Sequence, residues 1–255
     1  MLNGEYKNTH AYYTKADGSL AVGLYLVSMA IFYGIGMIFM NHQARLFVPA
    51  SIVGIVAVAV VIFIRKGAAA SVGLSGKNLG KSALLGLGTG AVFFFSIRWL
   101  LDASVIERAY GGATVNRFFH HDMFFNIPET PFLQWFPMIF LFIIITVLHQ
   151  EVLMRGFVQT RLQGLLKSDT ATTIVSAFLF VLFYMPLHAV ITGMSFSWVL
   201  LASLPLTMVW MLALHFWLNF LHRCFNNLAA PIIFHIFFSF HSTIILTHSY
   251  YLGIG

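Results

Sequence analysis

Four clusters of polar residues interrupt the apolar stretches of this chain, and their residue types are those of acid–base chemistry. The first is His149-Gln150-Glu151-Val152-Leu153-Met154-Arg155-Gly156. It follows FLFIIITVL without a turn signal, so a helix is predicted to continue through it. Glu151 and Arg155 are four apart and share one helical face, and Gln159 and Gln163 extend that stripe. The second cluster is Tyr184-Met185-Pro186-Leu187-His188, deep in an apolar run. The third is Pro231-Ile232-Ile233-Phe234-His235-Ile236-Phe237-Phe238-Ser239, where His235 and Ser239 lie one helical turn apart and Ser242 joins them. The fourth, His215, Asn219 and His222, falls on one face and reads as packing glue or a cavity lining. Each has a purely structural reading when taken alone: a buried ion pair stitching helices, a hydrogen-bonded histidine, interhelical hydrogen bonds.

Combination adds weight. Lys167-Ser168-Asp169-Thr170 is a predicted turn, and its centre lies about midway between Glu151 and His188. Counted from there the two residues differ in level by about two positions, roughly 3 Å of helix rise. An antiparallel hairpin therefore sets them side by side, and His235 joins if the span starting near 228 packs against that hairpin. A carboxylate and two imidazoles converging in a bundle suit acid–base catalysis.

The elements that must position these groups are membrane helices. The 255 residues are 59% hydrophobic and 9% charged, against about 25% charged in a soluble domain. A chain so apolar cannot hide its surface from water in one globule. A helix needs roughly 20 apolar residues to cross the bilayer core, and such runs occur at 20–40, 46–64, 82–101, 132–150, 172–192, 198–221 and 228–250. The predicted fold is all-α, a polytopic bundle of seven spans, with an eighth if 172–221 divides differently at Pro186 and Pro205. Residues 1–19 read as a polar cytoplasmic N-terminus and 20–250 as a single transmembrane domain. The first apolar run is span-length and is read as retained rather than cleaved.

Net charge is +6, but the basic residues sit at the ends of apolar runs, so a membrane and not a nucleic acid is the expected partner. With the N-terminus inside, Lys7, Lys15, Arg65, Lys66, Lys77, Lys81, Arg155, Arg161, Lys167 and Arg223 are cytoplasmic, and Arg45, Arg108 and Arg117 are outside. That asymmetry favours the N-inside orientation, in a membrane expected to be the bacterial cytoplasmic one. The lone Cys224 allows no internal disulfide. The insert 102–131, with His120-His121-Asp122, reads as a solvated connector. Gly86, Gly88 and Gly90 lie within an apolar span, where close helix packing explains them better than a phosphate loop does.

The order and spacing of the motifs resemble the CAAX-protease/bacteriocin-processing (CPBP, or Abi) family, the type II CAAX prenyl endopeptidase-like intramembrane glutamic endopeptidases. That family carries Glu-Glu-x-x-x-Arg followed by Gly, then Phe-x-x-x-His, then His-x-x-x-Asn. The counterparts here are Gln150-Glu151-x-x-x-Arg155-Gly156, Tyr184-x-x-x-His188 and His235-x-x-x-Ser239. NNLAAPIIFH before His235 and SVGLSGKNLGKSALLGLGTG near the third span also look like family segments, and the likeness covers most of 70–240. It implies a membrane endopeptidase in which the first Glu of the pair and the second-motif His activate water, while the third-motif His and Asn stabilise the oxyanion. Those roles fall on Gln150, His188, His235 and Ser239, with Glu151 and Arg155 in support. It also implies a site without metal or cofactor, although Glu151, His188 and His235 are acceptable zinc ligands.

Two departures bear on chemistry. An amide cannot take a proton from water, so Gln150 cannot act as the base. Ser239 can still donate one hydrogen bond to an oxyanion, and Tyr184 conserves the shape of Phe. Two readings follow. In one the chain hydrolyses membrane-associated peptides or proteins through a shifted base, Glu151 or His188, with His235 and Ser239 holding the oxyanion. In the other it is a catalytically degenerate member that serves as a scaffold or as a regulatory partner of a membrane enzyme, for instance in immunity. A transporter with a proton path through the same residues is the third class.

Overall fold

The structure, a computed structural model, describes residues 13–38, 44–64, 69–102, 132–192 and 198–251. The chain order is α1 (Lys15–Ile38), α2 (Ala44–Ile64), a short 3₁₀ turn (Ala69–Val72), α3 (Leu79–Asp102), α4 (Phe132–Gln150), a π-helical segment (Glu151–Gln159), α5 (Thr160–Leu166), α6 (Asp169–Thr192), α7 (Trp198–Phe225) and α8 (Ala229–Tyr251). Among the described residues there is no strand, in keeping with the continuous apolar runs. α4, the π segment and α5 form one unbroken rod. α6 and α7 run through positions 186 and 205, the two prolines expected to break this region. The insert carrying His120-His121-Asp122 lies outside the described residues.

Local chemistry sets the ends of the elements. Thr14 and Asp17 form a reciprocal capping box: the Thr14 amide donates to Asp17 Oδ2 (2.9 Å) and the Asp17 amide donates to Thr14 Oγ1 (3.3 Å). This satisfies two orphan donors of the first turn and starts α1 inside the stretch read as a polar tail. α5 ends at Lys167, whose φ of 52° is left-handed and whose amide bonds back to the Gln163 carbonyl at 2.9 Å, a C-cap geometry. Ser168 then caps α6 by accepting from the Ala171 amide at 3.3 Å. The turn thus falls at Lys167–Ser168, where it was predicted.

Large apolar side chains cover much of the exterior, and a polar cluster is buried inside an apolar core. Phe63 is 83% exposed and Leu84 70%, and Leu26, Val56, Val92, Phe95, Phe178 and Val209 also face outward. Glu151, Arg155, His215 and His235 are completely buried. Apolar surface on this scale needs an apolar surrounding. Among the described residues, three stretches suffice by length and composition to cross a membrane, Lys15–Phe32, Leu79–Ser96 and Phe140–Leu166.

The turn before α3 and the turn before α8 lock onto each other. Asn227 donates from Nδ2 to the carbonyls of Ser75 (2.6 Å) and Lys77 (3.2 Å) while its Oδ1 caps α8 at the Ala229 amide (2.8 Å). The Ala230 amide bonds Ser82 Oγ at 2.9 Å. Above that clamp α3 and α8 pack closely through Gly86 and Gly90: a Cβ at Gly86 would stand 2.7 Å from the Ala230 carbonyl oxygen, and one at Gly90 2.6 Å from the Phe237 ring, whereas Gly88 faces open space. Gly86→Val is therefore expected to cost about 1–3 kcal/mol by overpacking against backbone. Gly88→Val is expected to be nearly neutral, and thermal unfolding in detergent micelles measures the difference.

Candidate active site

The rod from α4 to α5 carries the first motif, and its middle is wound as a π-helix. All nine residues Glu151–Gln159 are buried. π turns are frequent at functional sites, and the wider i→i+5 winding shifts side chains and backbone groups out of α register. Here the Gly156 carbonyl accepts from Thr160 Oγ1 (2.7 Å) and from Arg161 Nη1 (3.0 Å). Arg161 Nη1 also reaches the Ser71 carbonyl (3.2 Å), and its guanidinium lies 4.3 Å from the centre of the Phe157 ring. Gly156 permits the close approach of the 3₁₀ turn, since a Cβ there would meet the Val72 carbonyl oxygen at 2.6 Å. Arg161, counted by sequence among cytoplasmic loop charges, is a buried anchor of this turn.

Within the bundle Glu151 is the hub. Its Oε2 accepts from Arg155 Nη1, and its Oε1 lies 2.6 Å from His235 Nδ1 on α8. The rest of the guanidinium faces His215 on α7: Nη2 lies 3.4 Å from both the Nδ1 and the carbonyl oxygen of His215. The cation also stands over the Phe180 ring of α6, 5.1 Å from its centre, an additional favourable contact for a buried positive charge. His215 Nε2 is 3.1 Å from Ser176 Oγ, which donates to the Thr173 carbonyl at 3.0 Å. One turn along, Gln159 Nε2 donates to Asn219 Oδ1 at 2.7 Å. Four elements meet here: the π segment, α6, α7 and α8.

Donor and acceptor roles follow from residue chemistry. An ionised carboxylate only accepts and a guanidinium only donates. His235 Nδ1 therefore donates to Glu151, and His215 Nδ1 accepts from Arg155, leaving the His215 proton on Nε2 for Ser176. All the bonds then run in one direction without conflict. One carboxylate and one guanidinium cancel, so the cluster is neutral when both imidazoles are neutral. A further buried charge would be costly. In that state His235 Nε2 bears a lone pair.

The sequence-predicted residues are distributed as follows. Glu151, Arg155 and His235 are directly bonded together. Gln150 is the last residue of α4 and is buried beside them. Ser239 sits half-buried on α8, one turn beyond His235. Positions 184 and 188 belong to α6, four and eight residues after Phe180, but their side chains lie outside those described. His149 turns the other way, stacking on Phe32 of α1 with ring centres 5.3 Å apart. His215 reads from sequence as packing glue or a cavity lining, and Ser176 and Phe180 carry no signal beyond their place in the α6 run. Among the described residues no three His, Cys, Asp or Glu side chains converge closely enough to hold a metal ion.

The sequence model of the type II CAAX prenyl endopeptidase Rce1-like family matches residues 132–241. Over these residues the chain is similar to that family, as the order of its motifs suggests. The match runs from α4 into α8 and so contains every member of the cluster around Glu151. No curated protein and no solved structure matches the chain. The likeness and the apolar exterior together support an integral membrane protein.

Proposed function

We propose that the chain is a membrane-embedded endopeptidase that hydrolyses peptide bonds of membrane-associated peptides or proteins, with imidazole rather than carboxylate as the base. The observation that carries this reading is the fully buried 2.6 Å bond from His235 Nδ1 to Glu151. A carboxylate that holds Nδ1–H fixes the ring's orientation and tautomer and stabilises the imidazolium formed when Nε2 takes a proton, as in hydrolases whose histidine is backed by an aspartate. Both Glu151 oxygens are already engaged, which favours a positioning role for Glu151. His188 of the second motif is assigned the role of the other water-activating imidazole, as the family resemblance implies. Ser239 donates to the oxyanion. The site opens within a bundle of seven spans whose N-terminus is cytoplasmic, in a bacterial cytoplasmic membrane, and substrates approach through the surrounding lipid.

Gln150 favours a second reading, in which a degenerate site acts as a scaffold or regulatory partner of another membrane enzyme. The Gln150→Glu variant separates the two. Purified protein in lipid nanodiscs is incubated with single-span and prenylated peptides and the products are identified by mass spectrometry. The peptidase reading expects cleavage by the wild type that is lost in His188→Ala and enhanced in Gln150→Glu. Cleavage only after Gln150→Glu, with none by the wild type, points to the degenerate member.

A further inference from the structure

We propose that His215 is a positioning residue of this same site, one that fixes the charge pairing of Glu151 and through it the proton-accepting face of His235. The inference rests on the peptidase reading above for its kinetic consequence but not for its geometry.

The case begins with what Arg155 needs. Its guanidinium is fully buried and carries donors on three nitrogens. Nη1 is satisfied by Glu151, and Nη2 faces His215 Nδ1 and the His215 carbonyl oxygen, both at 3.4 Å. These are long contacts, so their strength depends on the imidazole presenting a lone pair rather than a proton. Ser176 ensures that: its Oγ donates to the Thr173 carbonyl and offers its lone pair to His215 Nε2 at 3.1 Å. The proton is thereby held on Nε2 and Nδ1 is left to accept. If the tautomer were reversed, Nδ1–H would point at a cation.

Packing fixes the ring as strictly as its bonds do. The His215 ring lies 5.1 Å from Phe180, and Phe180 lies 6.2 Å from His235. The same phenyl ring thus contacts Arg155, His215 and His235. A guanidinium held on this side by His215 keeps Nη1 on Glu151 Oε2, which leaves Oε1 for His235 Nδ1. Released from His215, Arg155 can turn and take both carboxylate oxygens in the bidentate geometry that Arg–carboxylate pairs favour. Oε1 then accepts from both groups, and the bond that favours the Nδ1–H tautomer of His235 is weakened. His215 touches neither water nor substrate in this scheme. It acts by denying Arg155 the second oxygen.

The two ring nitrogens can be tested separately, because Asn places its oxygen near the position of Nδ1 and Gln places its terminal amide near that of Nε2. Histidine-labelled protein in nanodiscs is studied by ¹⁵N NMR for the His235 tautomer and by single-turnover and steady-state cleavage of the peptide used above. Wild type is expected to show His235 protonated on Nδ1. His215→Asn, which retains an acceptor for Arg155, is expected to keep that signature and to stay within about threefold of wild-type kcat. His215→Gln is expected to mix the tautomers and to lower kcat by about 10- to 100-fold, the usual range for loss of a supporting contact, with KM unchanged. Ser176→Ala is expected to shift both readouts in the same direction and carries the test if His215→Gln does not fold. Equal effects of Asn and Gln, or a His235 spectrum unchanged in His215→Gln and Ser176→Ala, overturn the proposal. A wild type that cleaves nothing ends the peptidase reading, and the tautomer measurement then decides the role of His215 alone.

Discussion

Glu151→Ala is expected to destabilise the folded protein by about 3–5 kcal/mol, the cost of stranding a buried partner charge. Arg155 would keep its full burial and lose its carboxylate partner, and His235 Nδ1 would lose its acceptor in the same step. Glu151→Gln is expected to be gentler, since an amide oxygen still accepts one bond, yet it leaves the guanidinium charge uncompensated. The paired replacement of Glu151 and Arg155 by Leu is expected to recover most of the stability, because two apolar groups leave no buried charge unpaired. Thermal unfolding in nanodiscs, with intact far-UV helicity as the control for fold, measures all three. Comparable melting of Glu151→Ala and wild type would show that the pair is not buried as described.

The second large effect is expected on catalysis. His235→Ala removes the imidazole that Glu151 orients, and cleavage is expected to fall by about 10²–10⁴-fold, the range general acid–base groups contribute. Stability is expected to suffer much less than in Glu151→Ala, because Glu151 retains Arg155. Initial rates of peptide cleavage at saturating substrate, with melting temperature recorded alongside, separate the two quantities.

Much of this arrangement is legible in the sequence, and the illegible parts have definite causes. Hydropathy places every long helix, because each must cover its length with apolar residues. The turn at Lys167–Ser168 is legible because Ser caps and Asp favours a first helical turn. The four-residue step between Glu151 and Arg155 announces an ion pair. The capping box Thr14-Lys15-Ala16-Asp17 is hidden by its neighbourhood of tyrosines and charges, which reads as a polar tail. The π winding of 151–159 leaves no trace in side-chain periodicity, since it depends on which carbonyl each amide selects once Gly156, Thr160 and Arg161 are packed. Arg161 looks like a loop cation until the 3₁₀ turn folds over it. His215 is distant in sequence from Arg155 and separated from it by a whole hairpin, so only the packing of α7 against α6 reveals that its ring completes the cluster.

The most direct test is a double-mutant cycle on the cleavage rate, comparing wild type, Glu151→Gln, His235→Ala and the double variant. Residues that act as one unit are strongly non-additive, so the double variant is expected to cleave no more slowly than His235→Ala alone. If the two losses instead multiply, Glu151 and His235 work independently, and a carboxylate-oriented imidazole is not the base.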